Sequence, residues 1–155
     1  MNLDEIDKKI LMELQIDGRA TASNIGAKVH LSVPAAAERI KKLQESGVIK
    51  GFRAVLDTDI LGLDVSALIT IVSDSSKFYE KVINKANETP EVVRCFSTTG
   101  DGSHVLLIQT QNTKSLESLL RRIQSWPGVI RTNTQLILSS YKDLTPIYFD
   151  NNHQE

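Results

Sequence analysis

The side chains with the most readable chemistry are cations set among small residues between Arg19 and Arg53. Seven (Arg19, Lys28, Arg39, Lys41, Lys42, Lys50, Arg53) stand against only Glu38 and Glu45, a local charge of +5 in a chain whose formal net charge is −1. The remainder therefore carries −6. A basic head on an acidic body suits local contact with a polyanion rather than general coating. On a helical wheel starting at Ser32, Pro34, Ala37, Glu38, Lys41 and Lys42 share one side, with Ala35 near them and Arg39 at the border. Short side chains permit close approach to base edges, and cations reach phosphates. The competing reading is an ordinary amphipathic helix pair with a solvated charged face.

The elements that would position these groups follow from capping and periodicity. Thr21 caps a short helix with Ile25 and Val29 on one face, and His30-Leu31-Ser32 forms the turn. Ser32 caps the next helix, Pro34 sits in its first turn, and Ala36, Ile40 and Leu43 form its apolar seam. Upstream, Leu3, Ile6, Ile10 and Leu14 predict a helix over Asp4–Asp17, stopped by Asp17-Gly18. Gly47 ends the third helix, and Val48–Val55 reads as a strand, so the head is a winged helix-turn-helix. Lys50 and Arg53 on that strand are either phosphate contacts or a solvated edge.

Other chemistries lack their ingredients. His30, His104 and His153 are scattered without ligand-spaced partners, and Cys95 is alone, so no metal, cofactor or disulfide framework is expected. Ser103 and His104 are adjacent on a strand and should point to opposite faces, which argues against a nucleophile pair. No apolar run reaches the ~20 residues of a membrane span. The N-terminus does not read as a signal peptide, so a cytoplasmic protein that is not an enzyme is expected.

Beyond the polar connection at 57–64 the periodicity changes. Val65–Ser73 is a β-branched strand, Ser75 or Ser76 caps a helix, and Val92–Thr98 and His104–Gln111 are strands about a Gly100-Asp101-Gly102 hairpin turn. Thr113 starts a second helix and Val129–Ser140 is the last strand. Gly100-Asp101-Gly102 is a turn first and a ligand loop second. The order βαββαβ, with Pro-x-Val repeated at Pro90 and Pro127, predicts a ferredoxin-like sheet with both helices on one face. The chain is thus α+β: a head at 1–53, a linker at 54–64, a ferredoxin-like domain at 65–142 and a tail at 143–155. Leu68, Thr70, Phe96, Leu106, Ile108, Leu136 and Leu138 make the strands oily on both sides, and burial of the open face against a second copy follows. Ile147, Tyr148 and Phe149 in the tail either fray or dock on a neighbouring subunit.

Several short motifs, in order, resemble the Lrp/AsnC family of transcriptional regulators over about residues 3–142. They are Leu3-Asp4-x-x-Asp7-x-x-Ile10-Leu11, Asp17-Gly18-Arg19, Leu31-Ser32, and Glu38-Arg39-Ile40 leading to Gly47-Val48-Ile49. Pro90-x-Val92-x-x-Cys95 into Thr99-Gly100, and Pro127-Gly128-Val129 with Thr132 and Thr134, complete the set. The resemblance implies binding to double-stranded DNA through Arg19, Ser32, Pro34, Ala35, Ala37, Glu38, Arg39, Lys41, Lys42 and Lys50. It implies a homodimer through the sheet, four of which assemble as an octamer. It also implies an amino-acid effector at a contact between dimers, near Thr99, Gly100, Asp101, Gly102, Ser103 and His104, with Thr132 and Thr134 as neighbours. Ser103 stands where the family usually has aspartate, and His30 where glycine is frequent. The alternative function is a nucleoid-architectural protein that bends DNA without an effector, since the recognition helix lacks a purine-reading Asn, Gln or central Arg.

Overall fold

The computed structural model describes residues 2–142 and 145–149, which fall into two compact units. His153 and the rest of the tail beyond Phe149 lie outside the described residues. The first unit is the head, residues 1–55, together with the returning segment from Lys142. It holds helices α1 (Glu5–Ile16), α2 (Ala22–Val29) and α3 (Val33–Glu45). Ile10, Leu14, Ile25, Val29, Ala36 and Leu43 form one shared core, each large side chain stabilising it by about 1.5–3 kcal/mol. Ile40, expected in the seam, is only partly buried beside it. No described helix is long and apolar enough to cross a membrane.

Three caps set where the head's helices begin. Asp4 and Asp7 form a reciprocal box at the start of α1: Asp7 N–H donates to Asp4 Oδ1 at 2.7 Å and Asp4 N–H donates to Asp7 Oδ2 at 3.2 Å. Thr21 Oγ1 accepts from Asn24 N–H at 3.2 Å and Ser32 Oγ from Ala35 N–H at 3.3 Å. The expected wing over Val48–Val55 forms no strand. Its β-branched residues suit a ladder, but no described segment of the head pairs with it, and Ile49 packs on the helices instead. The tail differs too. The Gln15 side chain donates to Ile147 O at 3.2 Å and accepts from Ile147 N–H at 2.6 Å, so this backbone is held by the chain's own head.

The second unit, residues 56–141, contains strands β1 (Val65–Ser73), β2 (Val92–Ser97), β3 (His104–Thr110) and β4 (Val129–Ile137), with α4 (Tyr79–Glu88) and α5 (Thr113–Gln124). The strands form one antiparallel sheet in the order β2-β3-β1-β4, the ferredoxin-like arrangement. Asn112, one residue before the expected start, caps α5 through its bond from Ser115 N–H. Neither Ser75 nor Ser76 caps α4: a single 3₁₀ turn, Ser76–Phe78, precedes it, and Ser75 makes no side-chain cap bond.

Register decides the two faces of the sheet. Ile69 lies between Leu106 and Thr134, and Ala67 between Ile108 and Leu136, so these residues share the helix-covered face. Leu106, Ile108 and Leu136 therefore leave the open-face set expected from the sequence; Leu106 and Ile108 are fully buried under the helices. The open face keeps Leu68, Val72, Phe96, Val105, Leu107 and Ile137, with Thr70, Arg131, Asn133 and Gln135 among them. It is an apolar stripe with a polar margin along β4, rather than uniformly oily.

Candidate nucleic-acid interface and effector turn

The pose of α3 depends on how tightly the turn after α2 can fold. His30 closes α2 in the left-handed conformation at φ 58°, a region histidine tolerates better than most side chains. The chain then doubles back so closely that a Cβ at Gly26 would lie 2.7 Å from Leu31 O and 3.5 Å from the Ala36 methyl. Gly26 was not among the residues singled out from the sequence. Its signal was available: a glycine inside a short amphipathic helix usually marks close packing.

A second constraint holds α3 from the other side. One guanidinium nitrogen, Arg39 Nη1, lies 2.7 Å from Asp4 Oδ2 and 2.7 Å from Asp7 Oδ1, so the capping box of α1 doubles as a clamp on α3. Asp7 is only 5% exposed, which makes Arg39 the counter-charge for a buried carboxylate. The Asp7 N–H and then the Arg39 guanidinium hold the Asp4 carboxyl below the usual range. Arg39, expected on a phosphate, thus has its charge engaged within the head.

The remaining expected DNA contacts are on the outside. Arg19, Ser32, Pro34, Ala37, Glu38, Lys41, Lys42 and Lys50 are exposed, and Ala35 is half-buried. Lys41 and Lys42 pair with Glu45 and Glu38 at 3.7 and 3.6 Å, all four largely exposed, so a phosphate can displace these pairs at little cost. Lys28 is paired with Glu13.

The expected effector turn splits between two sides of the sheet. Gly100 turns the chain at φ +103°, and Ser103 N–H donates to Ile71 O at 2.9 Å. Thr99, Asp101 and Gly102 line a hollow on the open face together with Arg131, Asn133 and Gln135. Ser103 faces away from it. Its Oγ lies 2.9 Å from Ser73 Oγ and 2.9 Å from His104 Nδ1, beneath the helices. The expected separation of Ser103 and His104 fails because Ser103 belongs to the turn, before strand alternation begins. His104 is buried with the Tyr79 ring edge-on at 4.9 Å, and burial holds its imidazole pKa below the usual value. Thr132 and Thr134 lie on the covered face, opposite Ile71 and Ile69, and Gln124 Nε2 donates to Thr132 Oγ1 at 3.2 Å. Cys95 packs half-buried against the core, which raises its thiol.

Comparison with known proteins agrees with this geometry. Residues 3–44 match the AsnC-type helix-turn-helix domain, and residues 64–147 match the Lrp/AsnC ligand binding domain. The chain is 41% identical over 145 residues to the HTH-type transcriptional regulator FL11 of Pyrococcus horikoshii, covering 94% of this chain and 95% of that one. It is 34% identical over 148 residues to the regulatory protein AsnC of Haemophilus influenzae, covering 94% and 99%. Among solved structures, a Neisseria meningitidis transcriptional regulator in complex with L-Met superposes with a TM-score of 0.89 at 26% identity, covering 95% and 97%. These relatives are transcriptional regulators rather than enzymes. Two matched domains spanning most of its length, with relatives aligned nearly end to end, place the chain in the Lrp/AsnC family of transcriptional regulators.

Proposed function

We propose that the chain regulates transcription as a dimer built on the open sheet face, which sets two copies of α3 into successive major grooves of one duplex. The observation that carries this is the bare outer side of α3, small at its N-terminal end and cationic at its C-terminal end. Gly26 and the Arg39 clamp fix its orientation. Dimerisation follows from the apolar stripe of Leu68, Leu107, Val105 and Phe96, which water would otherwise cover. Half-sites one turn apart, about 34 Å, suit such a dimer. Dimers assemble further, as the octamer the family resemblance implies, and a free amino acid near Thr99–His104 shifts that assembly. The match to a ligand binding domain and the likeness to a regulator crystallised with L-Met support the effector. A cytoplasmic location follows from the same reading.

Phosphate contact falls to Arg19, Lys41, Lys42 and Lys50, while Arg39 acts only through the pose of α3. Eight such cations in a dimer predict a log–log salt slope of about −7, and hence an affinity loss on the order of 10⁴ between 50 and 200 mM salt. Gel-shift titration across that range checks it. Lys41→Ala should reduce the slope, and a slope near zero would remove the phosphate contacts assigned here. An effector-independent architectural role is the second reading. It is favoured by Pro34, Ala35 and Ala37 at the groove end of α3, which read little beyond a thymine methyl.

A further inference from the structure

The chain leaves the head at Val55 and re-enters it at Lys142, so a second covalent path joins the two units. The returning segment is gripped by the end of α1. Gln15 Nε2 donates to Ile147 O at 3.2 Å, and Gln15 Oε1 accepts from Ile147 N–H at 2.6 Å. One side-chain amide thus pairs with both main-chain groups of one residue, as a neighbouring strand would. Two residues on, Phe149 is half-buried where it lines a hollow of about 810 Å³ with Leu11, Leu14, Ile49 and Phe52 of the head. The Ile147 and Tyr148 side chains are exposed, so the grip is on the backbone and the Phe149 ring.

The tail acts on the helix that already positions α3. Asp4 and Asp7 at the start of α1 clamp Arg39 of α3, and Gln15 stands in the last turn of the same helix. A restraint on the tail is therefore a restraint on the element that fixes the pose of the recognition helix. A head on one flexible tether samples many orientations, and a second tether narrows them. The hold is light, since two solvent-exposed hydrogen bonds and one half-buried ring open readily. Among the described residues, none from the tail belongs to the buried core of the head, so the head does not depend on it to fold.

We propose that the tail, held by Gln15, is a second tether that sets the spacing at which the two heads of a dimer accept half-sites on a duplex. Gln15 and Ile147 are positioning residues, acting through α1 and not by contact with DNA. The inference rests on the paired-helix reading above and adds what fixes the separation of the pair.

Two full-length variants test it. Gln15→Ala removes both bonds and leaves a good helix former at an exposed position, while Ile147→Pro removes the N–H donor from the tail side. Selection from duplexes carrying a random stretch about four helical turns long, followed by sequencing, reads the spacing directly. The native chain should enrich paired half-sites at one centre-to-centre spacing. Both variants should enrich the same half-sites at scattered spacings and bind the native spacing about three- to tenfold more weakly. Their affinity for a duplex with a single half-site should not change, whereas a destabilised head would weaken both. Hydrogen exchange should show the Ile147 amide protected in the native chain and unprotected in Gln15→Ala. One sharp spacing shared by the native chain and both variants would overturn the tether and leave the paired-helix reading standing. So would an Ile147 amide that exchanges at the free-chain rate in the native protein. Weaker binding of both variants to the single half-site would overturn the positioning role. Enrichment of single half-sites alone by the native chain would overturn the paired-helix reading and the tether with it.

Discussion

Gly26→Ala is expected to destabilise the head by about 2–3 kcal/mol, because a methyl 2.7 Å from Leu31 O must push the turn away from α2. The obstacle is backbone, so no rotamer change relieves it. Gly47→Ala provides the contrast. It replaces a glycine at positive φ, +76°, but nothing lies within 4 Å of its new methyl, so only the left-handed backbone cost of about 1 kcal/mol remains. Urea unfolding followed in the head separates the two. Duplex affinity should fall with Gly26→Ala even where the head stays folded, since the displaced turn carries the start of α3. Equal, small losses from both substitutions would show that the turn yields and does not fix the helix.

Arg39→Ala is expected to cost about 2 kcal/mol by stranding the Asp7 carboxylate. That lies below the 3–5 kcal/mol of a fully buried pair because Arg39 is 31% exposed. Arg39→Lys should recover part of it, since one ammonium reaches a carboxylate without the guanidinium's planar fork. The acid side of the stability curve provides a second signature. Asp4 titrates below its usual range in the folded head, so the stability it adds is present above about pH 4 and lost as pH falls through the depressed value. Removing Arg39 should flatten that acid limb, though not abolish it, because the Asp7 N–H bond persists. The salt slope of DNA binding should stay unchanged in folded Arg39→Ala protein. A slope shallower by about one phosphate contact would return Arg39 to the duplex.

Both residues act through contacts that local sequence patterns do not determine. Helix periods, caps and the hairpin glycines revealed three helices, a βαββαβ order and both folding units, because each signal is local. The Arg39 clamp closes over 35 and 32 residues of chain, and a wheel can only place Arg39 at a border. Val48–Val55 has the composition of a strand, but a strand also needs a neighbour, which composition does not provide. Leu106 and Ile108 went to the wrong face because an apolar residue on a strand fits either side until register is known. The effector turn was located from the resemblance. Its division into an outward Asp101 and an inward Ser103 depends on how far Gly102 lets the turn sink onto β1, a distance no motif encodes.

The dimer built on the open sheet face is the claim on which the paired recognition helices depend. Size-exclusion chromatography with light scattering, run on the native chain and on Leu107→Arg, addresses it directly. Leu107 sits beside Leu68 in the apolar stripe, so a charge there should disrupt the pairing without touching the buried core. The native chain should run as two protomers or a multiple of two, and the variant as monomers with greatly weakened binding to a duplex. A native chain that is monomeric at micromolar concentration and still binds the duplex tightly would contradict it.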